Sequence, residues 1–194
     1  MSYEYSEDGL IENATQDVLE QLGWTVVSAW HKESFGDSGL LGREDKSEVV
    51  LTRYLLQALK KLNPNHPELA YQQAIDRITQ NVADQTLGSI NKEKSNLLKN
   101  GIPVSYTNDK GELIKTKLKV FNFNNYLDNH FLAVRQLEVL GELYLRRPDV
   151  IGFVNGIPLV FFELKAHHQD LRHAFNDNLK DYKDTIEHLL HSNA

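Results

Sequence analysis

The chain has no cysteine, which removes disulfides and thiolate metal sites from any account of its stability or chemistry and makes an intracellular setting the default. No run approaches the ~20 apolar residues of a membrane-spanning helix, and the opening Met1-Ser2-Tyr3-Glu4-Tyr5-Ser6-Glu7-Asp8 lacks the basic and apolar segments of a secretion signal. A soluble, cytoplasmic protein with no membrane partner is expected. Positive charge is also short: the formal net charge is -6 and the pI about 5.7. A protein that grips nucleic acid unaided usually carries a broad basic footprint, and here there are only local basic pockets. What is present is enough apolar material, 41% of 194 residues, to bury a core in one domain.

Leu10, Ala14, Val18 and Leu22 recur at helical spacing between Ser6, an N-cap, and Gly23, a stop, which predicts a helix over 7–21. Residues 24–30, rich in Val, Thr and Trp, predict a short strand. Residues 31–45, with Gly36, Gly39 and Gly42 among charges, read as a mobile loop with Arg43-Glu44-Asp45 at its exit. Three helices follow, over about 47–62 with Ser47 as N-cap and Val50, Tyr54, Leu55, Ala58 and Leu59 inward, about 67–82, and about 84–99, closed by Asn100-Gly101. In this helical layer Tyr71, Gln72, Gln73, Arg77 and Gln80 read as surface polar residues, the alternative being the lining of a DNA channel.

From Ile102 the period becomes two: a hairpin turns at Asn108-Asp109-Lys110-Gly111, and its second strand points Lys115, Lys117 and Lys119 to one side. Those lysines fit either edge protection or a rail for phosphates. Beyond an asparagine-rich loop, residues 131–139 predict another strand. Leu171, Ala174, Phe175, Leu179, Tyr182, Ile186 and Leu189 predict a helix over about 170–191, with His167, His168, His173, His188 and His191 as surface residues.

Chemistry gathers in residues 147–165. Two apolar runs flank Asn155-Gly156, a dipeptide that tolerates the positive φ of a hairpin turn, and both runs are apolar on both faces, which predicts a central hairpin covered on each side. Asp149 enters the first strand; Glu163 and Lys165 leave the second. At ~4 Å and an effective dielectric near ~20 two carboxylates repel by roughly 4 kcal/mol, a penalty a divalent cation reverses. A two-residue loop pairs Val154 with Ile157 and sets Asp149 opposite Phe162. A three-residue loop pairs Val154 with Pro158 and sets Asp149 opposite Glu163. The second, or an equivalent bulge, is favoured, since Pro158 is well tolerated at a strand start.

Pro148-Asp149, a spacer, then Glu163-Leu164-Lys165 resembles the PD-(D/E)xK nuclease motif. With Phe153-Val154-Asn155-Gly156-Ile157-Pro158-Leu159-Val160 between, it resembles more narrowly the N-terminal nuclease domain of the R subunit of type I restriction-modification enzymes. The resemblance implies an α/β fold with a restriction-endonuclease-like core, a mixed central sheet flanked by helices, and a helical insertion. Residues 1–194 would form one nuclease domain, with the insertion at about 46–100 and the catalytic core at about 102–191.

It further implies a metal-dependent endonuclease acting on double-stranded DNA. Asp149, Glu163, the carbonyl of Leu164 and Glu12 on the first helix would hold Mg²⁺, while Lys165 orients the attacking water. The family's Gln-x-x-x-Tyr motif has its nearest match in Asn178-Leu179-Lys180-Asp181-Tyr182, with Asn178 one methylene shorter than expected. Lys180 joins Lys115, Lys117 and Lys119 as a candidate DNA contact. Sequence recognition would come from methyltransferase and specificity subunits and translocation from an ATP-driven motor in cis. The chain carries no Gly-x-x-x-x-Gly-Lys-Ser/Thr phosphate loop, so an excised N-terminal domain or a truncated product is expected. The alternative is a catalytically idle module that keeps the nuclease fold to dock a methyltransferase or motor partner.

Overall fold

The computed structural model describes residues 7–80, 85–164 and 178–192, with side chains from Asn13 onward. Helix α1, Glu7–Gln21, ends at Gly23, whose φ of +86° suits a residue without Cβ, and Trp24 N–H closes back on the Leu19 carbonyl at 3.0 Å. Strand β1, Thr25–Ser28, follows, and a long connection leads to helices α2, Thr52–Leu62, α3, Glu68–Thr79, and α4, Leu87–Asn100. Thr86 caps α4 through its hydroxyl, which accepts from Ser89 N–H at 3.3 Å. Strands β2, Ile102–Thr107, and β3, Leu113–Leu118, form a separate antiparallel hairpin. Then come β4, Phe131–Arg135, the short pair β5, Val139–Leu140, and β6, Leu145–Arg146, and the last hairpin, β7, Val150–Val154, with β8, Ile157–Phe162. Helix α5, Lys180–Thr185, and a 3₁₀ turn, Glu187–Leu190, close the described chain.

The main sheet has order β1-β4-β7-β8. β1 runs parallel to β4, and the other neighbours are antiparallel, so the sheet is mixed and the fold is α/β with a restriction-endonuclease-like arrangement. Period-two alternation sorts its side chains. Ala133 and Val150 face Leu19 of α1, while Leu132, Val134, Ile151 and Phe153 face the opposite way, toward Leu41, Leu51, Tyr182, Ile186 and Leu189. A second core lies between α2, α3, α4 and the β2–β3 hairpin, around Leu55, Leu59, Ile75, Leu98, Ile102 and Leu118. Lys94 is buried in that layer and donates to the carbonyls of Arg77, Ile78 and Gln80 at 3.0, 2.6 and 3.2 Å, closing the C-terminal end of α3.

Several expectations are corrected. Tyr71, expected at the surface, is 4% exposed and donates its hydroxyl to the Asn63 carbonyl at 2.7 Å. The helix expected over about 170–191 breaks at Ile186, between α5 and the 3₁₀ turn. Helix α2 starts at Thr52, not Ser47: the Ser47 N–H and hydroxyl both donate to Asp45 at 2.7 and 2.6 Å, while Leu51 N–H is taken by the Gly156 carbonyl at 2.8 Å. The upstream chain is committed to a turn and to the β7–β8 loop and cannot continue the helix. The 31–45 segment is not a loosely held loop. Arg43, 1% exposed, pairs with both Glu33 oxygens at 2.7 and 2.6 Å and donates to the carbonyls of Glu48 and Glu138 at 2.9 and 3.0 Å. The hairpin is also not central throughout: β7 is buried between two neighbours, but among the described residues no strand lies beyond β8, whose Leu159 to Phe162 are half-buried.

Candidate active site

The turn of the β7–β8 hairpin has two residues, Asn155 and Gly156, with φ of +51° and +82°. Asn155 is 1% exposed because its side chain is structural. Its amide donates to the Val120 carbonyl at 2.7 Å and its oxygen accepts from His130 N–H at 2.7 Å, tying the turn to β4 and to the chain leaving β3. Val154 pairs with Ile157 and Phe153 with Pro158, but Gly152 pairs with Val160, leaving Leu159 as the extra residue of a bulge. From there Ile151 pairs with Phe161 and Val150 with Phe162, so the next residues, Asp149 and Glu163, stand level. The equivalent bulge, rather than a three-residue loop, puts the two carboxylates together. The site for it is physically apt. Among the described residues β8 is an edge strand, which can accommodate an extra residue, and Gly152 leaves room for the Trp24 ring, which a Cβ there would approach to 3.1 Å.

Each carboxylate is then held by its own donors. Leu164 N–H donates to Asp149 Oδ2 at 2.8 Å, the Gln136 side-chain amide donates to Oδ1 at 3.3 Å, and Gln136 N–H donates to the Asp149 carbonyl at 2.9 Å. Across the mouth, Tyr182 donates its hydroxyl to Glu163 Oε1 at 2.5 Å and Asn178 donates its amide to Oε2 at 2.7 Å. The shorter Asn178 therefore still reaches the carboxylate. Burial, followed by the hydrogen bond to Glu163 and the charges of Glu163, Asp149 and Asp181, drives the Tyr182 phenol far above its ordinary pKa, so it stays a donor. Helix α5 is anchored by Arg146 on β6, whose guanidinium grips both oxygens of Asp181, one at 2.7 Å. That bond holds the Asp181 carboxyl below its ordinary pKa and raises the Arg146 guanidinium.

A family model described as type I restriction enzyme R protein N terminus matches residues 4–193. The chain belongs to that family. Among curated proteins, the type I restriction enzyme HindI endonuclease subunit of Haemophilus influenzae is 37% identical over 186 residues, 92% of this chain and 17% of its own length. The putative type I restriction enzyme MjaIXP endonuclease subunit of Methanocaldococcus jannaschii is 30% identical over the same shares. A Staphylococcus aureus relative, the type I restriction enzyme SauCOLORF180P endonuclease subunit, is 26% identical over 180 residues. The chain spans 17% of the length of these curated relatives.

Of the residues picked out from sequence in this R-protein N-terminal domain, Asp149, Glu163, Leu164, Asn178 and Tyr182 come together. Lys165 and the side chain of Glu12 lie outside the described residues, as do His167, His168 and His173. Lys115 and Lys117 are exposed on β3 of the separate β2–β3 sheet, and Lys119 is exposed just past its end; Lys180 is exposed in the first turn of α5. His188 and His191 are half-buried rather than on the surface, because the 3₁₀ turn packs Leu189 and Leu190 inward. Gln136 and the Arg146–Asp181 pair escaped the sequence reading. Gln136 has a left-handed φ of +54° that ends β4, and nothing in its neighbourhood of the sequence marks it as a partner of Asp149.

Among the described residues no three His, Cys, Asp or Glu side chains form a metal-holding cluster. A cavity of about 820 Å³ is lined by neither Asp149 nor Glu163, and its lining carries Glu48, Asp76, Glu142, Asp184 and Glu187 with no Lys or Arg. Its sign is wrong for a phosphate backbone. No described helix is long and apolar enough to cross a membrane.

Proposed function

We propose that this chain is a Mg²⁺-dependent endonuclease domain that hydrolyses phosphodiester bonds in double-stranded DNA as part of a type I restriction enzyme R subunit. The observation that carries the reading is the alignment of Asp149 with Glu163 across the bulge, each carboxylate oriented by separate donors. The relatives' description as endonuclease subunits supports it. The donor set suits a hard cation: both side chains offer only oxygen, and each carboxylate oxygen keeps a lone pair beyond the bond it accepts. Asp149, Glu163, the Leu164 carbonyl and Glu12 would hold Mg²⁺, which supplies charge stabilisation at the phosphate and acidifies the attacking water.

The protein's own groups do the rest. Leu164 N–H and Gln136 keep Asp149 from rotating away, and Tyr182 and Asn178 do the same for Glu163. Preorganisation of this kind removes reorganisation from the reaction step. Lys165 orients the attacking water; at an ordinary pKa near ~10.4 it is a poor base. Methyltransferase and specificity subunits would supply sequence recognition, and an ATP-driven motor in cis would move the DNA. The test is nicking of supercoiled plasmid with Mg²⁺, with and without those partners. Glu163→Gln and Lys165→Ala should fold and lose nicking, and metal-dependent cutting retained by either overturns the assignment.

A second reading, an idle docking module, draws on the fact that both Glu163 oxygens already accept protein donors. Calorimetric titration with Mg²⁺ separates the two, since an idle module gives the same heat with Glu163 or Gln at that position.

A further inference from the structure

Beside the carboxylates is a cavity of about 240 Å³ lined by Trp30, His31, Glu33, Lys46, Gln136 and Arg147, among others. Gln136 belongs to both places, since its side-chain amide donates to Asp149. The Arg147 guanidinium carbon lies 3.6 Å from the centroid of the Trp30 ring, and Arg147 is exposed to solvent. Contact with the indole face restricts the guanidinium, and its exposure leaves N–H donors available to an anion.

Charge accounting in the cavity isolates this group. Both oxygens of Glu33 are taken by the buried Arg43 at 2.7 and 2.6 Å, and Glu138, at the cavity wall, pairs with Lys46 at 2.6 Å. Among the described residues, no hydrogen bond or salt bridge engages the Arg147 guanidinium. Glu138 feels its charge, but as a smaller influence than its bond to Lys46. The cavity therefore holds one cation whose charge is not matched by a close carboxylate. In a chain of net charge -6, that cation sits two positions from Asp149. Two residues of chain span at most ~7 Å, and successive nucleotides of a strand rise ~3.4 Å along the duplex. The guanidinium thus reaches a phosphate within a few nucleotides of one lying at the carboxylates. The lysines of the β2–β3 sheet have no comparable link to Asp149.

We infer that Arg147, held over the Trp30 ring, is the backbone-phosphate contact that sets DNA against Asp149 and Glu163. The inference rests on the nuclease reading above. Arg147 is the binding residue and Trp30 positions it.

The test measures anisotropy of a short fluorescein-labelled DNA duplex titrated with the whole chain in metal-free buffer across a range of salt concentrations. Losing one phosphate contact in Arg147→Gln should weaken low-salt binding roughly tenfold and make the slope of log K against log[salt] shallower by about 0.9. Trp30→Phe should keep most of the affinity and the full salt slope. Trp30→Ala should fall toward Arg147→Gln, and Lys115→Gln should leave the slope unchanged. Should Arg147→Gln prove unstable in thermal melts, Arg147→Lys decides: it keeps charge but not the planar fork, so the slope stays and the affinity drops. A wild-type chain that nicks plasmid while Arg147→Gln, or in its place Arg147→Lys, matches it in affinity and slope overturns the phosphate contact alone. A wild-type chain that neither binds duplex nor nicks with Mg²⁺ overturns the nuclease reading with it.

Discussion

Removing one oxygen tests whether Glu163 is held as described. Tyr182→Phe deletes the hydroxyl that donates to Glu163 Oε1 at 2.5 Å and leaves the ring in its buried place among Ile186, Leu189 and Ile151. Apolar burial is unchanged, so the loss is that of a hydrogen bond to a charged, partly buried acceptor, about 1.5 to 3 kcal/mol. The second donor on that carboxylate, Asn178 at 2.7 Å, keeps Glu163 from being stranded and argues for the lower half of that range. The assay is urea unfolding of wild type, Tyr182→Phe, Glu163→Gln and the double variant in metal-free buffer. The coupling energy isolates the pair from other effects of each change. Ultraviolet titration of the phenols offers an independent check, because the residue at 182 should ionise after the exposed tyrosines. A coupling energy below about 0.5 kcal/mol, the scale of a surface contact, would refute the claim that this hydroxyl orients Glu163.

Gly156→Ala should destabilise the chain by roughly 2 to 4 kcal/mol in denaturant unfolding, since a Cβ there falls 2.4 Å from the Leu51 carbonyl oxygen and the residue has a φ of +82°; a loss under about 0.5 kcal/mol would mean that the turn does not seat on the start of α2. Acid should weaken the fold through three histidines. Burial is the first cause lowering the pKa of His130, His188 and His191, reinforced chiefly by Lys61, His191 and Lys94 respectively. The unfolded chain then takes up protons first as pH falls through about 6.5, so the stability of the neutral imidazoles is complete above that value and lost as pH falls through the lower folded-state values. Thermal melts should hold steady above about pH 7 and drop below about pH 6.5, and a melting temperature that rises on mild acidification would contradict this.

Local order was legible where local chemistry dictates it. Helix α1 runs over 7–21 and stops at Gly23 as read, although Val18 and Leu22 of the expected apolar stripe are exposed and Leu19 is buried instead, and the β2–β3 hairpin turns at Asn108 to Gly111 as its composition predicts. The start of α2 was not legible, because the choice between Ser47 and Thr52 rests on the Gly156 carbonyl, more than a hundred residues away along the chain. Arg43 looked like one charge in a loop, and only the convergence of Glu33, Glu48 and Glu138 on one point makes it a buried anchor.

The amino-acid order alone decided that a hairpin would form at Asn155-Gly156, with Asp149 and Glu163 at the far end of its strands. Their spacing contains one residue too many for a regular two-residue turn, so setting them level needs a bulge or a longer loop. Where the surplus residue goes belongs to tertiary structure. It sits at Leu159, on β8 opposite Gly152 and Trp24, and this fixes which side of the sheet Glu163 takes. The donors that hold it, Tyr182 and Asn178, and Gln136 on Asp149, arrive from elements separated in sequence. A side chain's face follows from strand parity, which is local, whereas its partners follow from packing, which no single stretch of sequence encodes.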